Sequence, residues 1–148
     1  MEARTGEPVM DAAALAAFLD EVFPQIRGEL TVVSVAPMAA VMRLHVVEKH
    51  LRPGGTVSGP SMFALADCAF YAATLAMIGR EALTVTTSLT INFMRKPAPA
   101  DLWGEARILK LGRTLSVGDV VLTQPGLDGP VAHASVTYAI PPTSAGLK

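Results

Sequence analysis

Asp67 is the only charged residue in the segment GPSMFALADCAFYAATLAMIG, which runs from Gly59 to Gly79. Transfer of a lone carboxylate into an apolar environment is costly unless the charge is paired or hydrogen-bonded. The position of Asp67 therefore indicates a carboxylate that is kept for chemistry. The alternative is a structural role, in which Asp67 caps a turn or forms a pair at a subunit interface.

The start of the same segment has the features of a site for developing negative charge. Pro60 is favoured at the first helical position, because the N–H at that position has no partner within the helix. The N–H groups of Gly59, Ser61 and Met62 are then expected to be free donors at the positive end of the helix dipole. Such donors suit a carbonyl oxygen that becomes an oxyanion. The alternative is an ordinary entry from a loop into a helix.

The spacing between these two features predicts a site shared by two copies of the chain. Asp67 follows Gly59 by eight residues, which corresponds to about 12 Å along a helix axis. That separation is too large for both groups of one chain to act on one small reacting group. We therefore expect Asp67 of one subunit to face Gly59 of its partner across a dimer interface.

The elements that must position these residues are one long helix and a set of strands. The Gly59–Gly79 segment is too long for a strand and apolar on every side, which predicts a buried helix. An amphipathic helix is predicted over residues 11–23, with Asp11 as its N-cap, and two strands joined at Pro37 follow it. Further strands are predicted over residues 83–95, 102–112, 114–124 and 129–140, and a frayed tail over residues 141–148. This order predicts an α+β domain spanning residues 1–148, with a long antiparallel sheet wrapped around the buried helix.

Composition excludes several classes of protein. The net charge of −1 argues against a general nucleic-acid surface. The Gly59–Gly79 segment is short for a membrane span and contains Asp67, so we expect no membrane insertion. A single cysteine, Cys68, and the absence of a secretory-signal pattern predict a cytoplasmic protein. The sequence contains neither metal-ligand spacing nor a phosphate-binding loop, so no metal and no cofactor are expected.

Two stretches of the sequence resemble a known family. RPGGTVSGPSMFALADCAF is similar to the segment Asn-x-x-Gly-x-x-His-Gly-Gly, followed by a helix with Leu-Ala-Asp, of the hotdog-fold acyl-CoA thioesterases of the phenylacetic-acid-degradation type. INFMRKPAPADLWGEARILKLGRTLSVGDVVL is similar to the Asn-Phe-x-x-Pro-Ala and Gly-Arg-x-Leu elements of the same family. The resemblance covers about residues 28–140. It implies a hotdog fold, an acyl-CoA substrate, and a homodimer. A homotetramer made of two dimers is common in the family, and the sequence leaves dimer and tetramer as alternatives.

The resemblance also implies roles for individual residues. Gly59 matches the glycine whose N–H polarises the thioester carbonyl. Asp67 matches the carboxylate that acts either as nucleophile or as general base on water, and that comes from the facing subunit. Thr86 stands where a hydroxyl residue helps to position that water, although threonine is also common in strands. Tyr71 lies one turn after Asp67 and either lines the acyl pocket or packs in the core.

Basic residues near predicted strand ends are candidates for binding the phosphates of coenzyme A. The alternative is that they are solvated strand-end charges. These residues are Arg95, Lys96, Lys110 and Arg113.

The sequence departs from the family pattern at two places. Ser58-Gly59-Pro60 stands where His-Gly-Gly is common, and we expect Ser58 to cap the helix and to contribute to substrate binding. Arg52 stands where Asn or Gln is usual. A cation at that place would weaken Asp67 as a base, or it would bind a carboxylate or phosphate of the substrate.

Three functions are compatible with these residues. The first is an acyl-CoA thioesterase, in which Asp67 activates water and the Gly59 N–H holds the carbonyl. The second is a non-catalytic hotdog protein that binds acyl-CoA or a related acyl ligand. The third, a dehydratase or hydratase, ranks last because that chemistry needs a paired histidine and no histidine lies near Asp67 in the sequence.

Overall fold

The computed structural model describes residues 6–142. Predictions for residues 1–5 and for most of the C-terminal tail therefore lie outside the described residues. Two helices, two short 3-10 turns and six strands follow one another along the chain: α1 (Ala12–Val22), a turn (Pro24–Ile26), β1 (Leu30–Ala36), β2 (Ala39–Leu44), a turn (Glu48–His50), α2 (Gly59–Ile78), β3 (Val85–Phe93), β4 (Leu102–Leu111), β5 (Leu115–Thr123) and β6 (Ala132–Ala139).

The six strands form one antiparallel sheet in the order β1-β2-β4-β5-β6-β3. Strands β1 and β3 are its edges, and α2 packs on one face. The predicted hotdog fold, a long sheet around a central helix, is confirmed. Each element matches its predicted position, with ends that differ by at most a few residues.

Helix α1 forms where its sequence predicts it. The Asp11 side chain accepts a hydrogen bond from the Ala14 N–H at 2.8 Å, which caps the first turn. Leu15, Phe18 and Leu19 lie on one face and are buried. Burial of this apolar face holds the C-terminal end of α1 beside the candidate site described below.

Helix α2 lies close against the sheet because two of the facing strand residues are glycines. A Cβ at Gly104 would lie 3.1 Å from the Leu65 side chain, and one at Gly118 would lie 2.7 Å from the Phe70 ring. Thirteen of the 20 helical residues are buried. By length and composition α2 could also cross a bilayer, but its packing inside the sheet accounts for its apolar sequence.

The flank of the core along edge strand β3 is open. Phe63 of α2 is 40% exposed and Phe93 of β3 is 50% exposed. Leu89 and Ile91 face α2 but are only partly buried. The expectation that α2 is covered on every side is therefore wrong for the face that carries Gly59, Phe63 and Asp67. An unpaired edge strand with exposed apolar residues is a surface that proteins normally cover.

Candidate active site

The structure brings Asp67 together with two hydroxyl groups. Thr86 at the start of β3 donates a hydrogen bond from Oγ1 to Asp67 Oδ1 at 2.6 Å. Tyr138 at the end of β6 donates from its phenol to the same oxygen at 2.7 Å and lies 2.9 Å from the Asp67 carbonyl oxygen. Thr86 and Tyr138 are paired residues of adjacent antiparallel strands. The sheet register therefore places both donors beside α2.

The two oxygens of the Asp67 carboxylate differ in their environment. Oδ1 accepts both hydroxyl hydrogen bonds, whereas no donor within residues 6–142 contacts Oδ2. The Tyr138 phenol is buried, and both burial and the adjacent Asp67 carboxylate raise its pKa. Because Tyr138 stays protonated, it acts as a donor at neutral pH. The arrangement fixes one oxygen and leaves the other available to a substrate or a water molecule.

A cavity of about 380 Å³ opens beside Asp67. Its apolar wall includes Phe23 from the end of α1 and the ring of Tyr71, which stacks on Tyr138 at 5.8 Å and meets Phe23 edge-on at 6.3 Å. The Tyr71 phenol donates to the Ala82 carbonyl at 2.8 Å, which fixes the ring in this wall. Tyr71 thus both packs and lines the cavity, so the two alternatives for this residue are compatible.

Cys68 also lines this cavity but is not a nucleophile in this environment. Burial, with a further contribution from Asp67, raises the pKa of the Cys68 thiol to about 12. At neutral pH the residue is therefore a protonated thiol. Cys68 therefore serves as an inert, buried packing residue.

Helix α2 begins at Gly59, and its first turn presents fewer free donors than the sequence predicts. Ser58 is the N-cap, and its Oγ accepts from the Ser61 N–H at 3.3 Å. The Met62 N–H donates to the Ser58 carbonyl at 3.1 Å. The expectation of three free donors is thus wrong for Ser61 and Met62. Within residues 6–142 the Gly59 N–H has no acceptor, so it is the donor available to a ligand.

A buried histidine supports the loop that precedes Gly59. The Val47 N–H donates to His50 Nδ1 at 2.9 Å, so the proton of the neutral ring lies on Nε2, which donates to Glu29 Oε1 at 2.6 Å. This hydrogen bond lowers the pKa of Glu29. The His50 carbonyl accepts from the Ser58 N–H at 2.7 Å. The Glu29–His50 pair therefore anchors the N-cap of α2 to the core.

Gly59 and Asp67 lie near opposite ends of β3 within one chain. A Cβ at Gly59 would lie 3.4 Å from the Phe93 ring at the end of β3. Asp67 is hydrogen-bonded to Thr86 at the start of that strand. Residues 86 and 93 of an extended strand are about 23 Å apart. The acid and the amide of a single chain thus face different ends of this edge.

The basic residues named above do not form one cluster in a single chain. Arg95 and Lys96 follow β3, whereas Lys110 and Arg113 lie at the opposite end of the sheet, where β4 turns into β5. Arg95 donates to the Pro130 carbonyl at 2.8 Å.

Arg52 is exposed on the loop before α2 and lines a separate groove with Val47, Leu51 and Pro99. It does not line the cavity beside Asp67 of its own chain.

The sequence interpretation missed two components of the site. These are Tyr138 and Glu29, which lie far in the sequence from the residues that they contact, Asp67 and His50. Tyr138 is one of only two tyrosines in the chain, and it faces the core in the alternating pattern of β6. A buried phenol needs a hydrogen-bond partner, and this rule could have identified Tyr138 as a candidate in the sequence. In the described part of the chain, no three His, Cys, Asp or Glu side chains are grouped so that they could hold a metal ion.

Comparison with known proteins gives a consistent result. A family model described as the thioesterase superfamily matches residues 54–139. Human acyl-coenzyme A thioesterase 13 is 32% identical over an alignment of 107 positions, and the alignment covers 68% of this chain and 72% of the human protein. The structure of a candidate thioesterase from Silicibacter sp. TM1040 is 57% identical, with a TM-score of 0.87, and covers 94% of this chain and 97% of its own. A variant of the phenylacetic acid degradation protein PaaI from Thermus thermophilus is 27% identical, with a TM-score of 0.70, and covers 80% of this chain and 99% of its own.

Proposed function

This chain belongs to the thioesterase superfamily and is a thioester hydrolase; from that premise, we propose that it hydrolyses acyl-CoA thioesters at a site built around Asp67. The observation that carries the proposal is the arrangement of the Asp67 carboxylate. Two hydroxyl groups hold one of its oxygens, and Asp67 lines a cavity of about 380 Å³ with an aromatic wall, which would accommodate an acyl group. A carboxylate held in this way is suited to activate water.

We further propose that the functional unit is a homodimer formed through β3. Two β3 strands that pair antiparallel about a twofold axis place the start of one strand beside the end of the other. Thr86 of one subunit then approaches Phe93 of its partner, provided that the axis passes near the middle of β3. Asp67 and Gly59 are attached to these two positions in each chain, so this pairing brings the acid of one subunit to the amide of the other.

The proposed reaction uses only these groups and water. Asp67 accepts a proton from water as the water oxygen bonds to the thioester carbonyl carbon. The Gly59 N–H of the facing subunit hydrogen-bonds the carbonyl oxygen while it carries negative charge. The carbon–sulfur bond then breaks, and Asp67 returns its proton to the departing thiolate of coenzyme A. The products are the free acid and coenzyme A.

Thiol release from a panel of acyl-CoAs tests this proposal. We expect wild-type protein to hydrolyse acyl groups of some length or aromatic type. Asp67→Asn and Asp67→Ala should lower kcat at least about a hundredfold. Thr87→Val is the matched control, because Thr87 neighbours Thr86 but donates to the Thr137 carbonyl and not to Asp67. Wild-type turnover in the Asp67 variants would contradict the mechanism, and binding without release from any thioester would favour a non-catalytic acyl-CoA carrier.

A further inference from the structure

The buried tyrosine of β6 makes a contact that packing alone does not require. Tyr138 is 4% exposed and its ring packs between Phe70 and Tyr71. Its hydroxyl group lies at the point where α2 presents Asp67, and it contacts both the carboxylate and the carbonyl oxygen of that residue. A phenylalanine would fill the same space without either contact. The hydroxyl therefore serves Asp67 specifically.

Thr86 and Tyr138 act on the same oxygen from two strands. A carboxylate on a single side-chain bond rotates freely unless donors fix its plane, and two donors on Oδ1 direct Oδ2 away from both strands. Because Thr86 and Tyr138 are opposite each other in the β3–β6 ladder, their separation is set by the sheet. Thr86 is exposed at the edge, whereas Tyr138 is held by surrounding aromatic rings. Tyr138 is the more rigid of the two donors.

We propose that Tyr138 is a positioning residue of the reaction, which holds Asp67 Oδ1 so that Oδ2 points at the attacking water. This inference rests on the proposed function, because it requires Asp67 to be the base. It predicts that the Tyr138 hydroxyl contributes to kcat and not to substrate affinity. The raised pKa of Tyr138 agrees with a hydroxyl that stays protonated and donates throughout the cycle.

Four variants test the inference on the full-length protein. Tyr138→Phe removes the hydroxyl and keeps the ring, and Thr86→Val removes the second donor at nearly constant volume. We expect each to lower kcat about tenfold, as for the loss of one hydrogen bond to a charged group, with KM unchanged within about twofold. Thr86→Ser should restore most of the rate. The double variant should lose more than the product of the two single effects, because either donor alone still restrains Oδ1.

The Asp67→Asn background separates positioning from a structural effect. If Tyr138 acts through Asp67, Tyr138→Phe should not lower the residual rate of Asp67→Asn further. The matched comparison is Tyr71→Phe, which removes the other phenol of this cavity and its hydrogen bond to the Ala82 carbonyl. Its fractional effect on kcat should be the same in wild-type protein and in Asp67→Asn. Thermal unfolding of every variant reports the structural contribution.

Two results would overturn the inference while the proposed function stands. One is a wild-type kcat for Tyr138→Phe when Asp67→Asn is inactive. The other is an equal fractional loss of kcat from Tyr138→Phe in wild-type protein and in Asp67→Asn, which would show that the hydroxyl only stabilises the fold. Wild-type turnover by Asp67→Asn, in contrast, would overturn the proposed function itself.

Discussion

Two inactive variants should restore activity to each other if the site spans two subunits. Asp67→Asn removes the base, and Gly59→Pro removes the N–H that is available at the start of α2. Ser58 before it is extended, with φ −72° and ψ 154°, and Gly59 is the first helical residue, so the preceding chain is compatible with proline. Pro60 after it disfavours the helical conformation of residue 59 for proline and alanine alike. Gly59→Ala is the matched control: it adds a Cβ about as close to the Phe93 ring as that of proline, but keeps the N–H.

The magnitude follows from the geometry of a twofold dimer. Each homodimer should lose about a hundredfold or more in kcat, the usual effect of removing a general base or an oxyanion donor. A mixed dimer has one site that carries both substitutions and one site that carries neither. Each mixed dimer therefore has one intact site out of two. Random assembly of equal amounts produces half mixed dimers, so the mixture should recover about a quarter of wild-type activity.

The assay requires only co-expression and thiol release. Two different affinity tags isolate the mixed dimer, which should have about half the wild-type activity per mole of dimer. Circular dichroism of the Gly59→Pro homodimer checks that α2 still forms. Activity in the mixed dimer no higher than in either parent, with both parents folded, would show that Asp67 and Gly59 of one chain act together. A Gly59→Ala homodimer as inactive as Gly59→Pro would show that the Cβ, and not the N–H, is responsible.

Two further predictions concern the cavity and the loop before α2. Tyr71→Ala deepens the cavity and should favour long acyl chains. In a series of acyl-CoAs, the ratio of kcat/KM for a long chain to kcat/KM for a short chain should rise about tenfold or more. An unchanged ratio would show that the acyl chain binds elsewhere. The lowered pKa of Glu29 means that its ionised form stabilises the fold above its ordinary pKa of 4.5, and that this stabilisation is lost as the pH falls through the lower folded value. The free energy of unfolding, measured by urea unfolding, should therefore fall on acidification below about pH 4.5. Glu29→Gln should be about 1 kcal/mol less stable at neutral pH, and its free energy of unfolding should fall less steeply in acid. Parallel pH profiles of the two proteins would contradict this.

Local sequence rules predicted most of the elements of this fold. Asp11, Pro60 and Gly79 mark helix ends through backbone chemistry that acts within a few residues. The strand order was not accessible in this way, because it depends on which strands pair across the sheet. The sequence predicted one long antiparallel sheet, which the structure confirms, but the order of its six strands required the structure.

The candidate site shows the same division between local and long-range information. The length and apolar character of α2 made Asp67 conspicuous, and the resemblance drew attention to Thr86. Tyr138 was missed because its contact with Asp67 depends on the packing of α2 against β6, which lie far apart in the sequence. The N-cap role of Ser58 could be predicted from its residue type. Only the structure, however, shows how many N–H donors its side chain and its carbonyl satisfy.

The relative direction of α2 and β3 supports the proposal that an acid and an amide on one helix act from two subunits. Gly59 begins α2 beside the end of β3, and Asp67 lies two turns later beside the start of β3, so the helix runs opposite to the strand. A twofold axis through the middle of β3 exchanges the ends of the strand and so brings unlike groups together. A dimer through β1, the other edge, would leave Phe63 and Phe93 exposed and keep every Asp67 far from a second Gly59. The exposed apolar flank and the separation of the two reactive groups therefore both support the proposed pairing through β3.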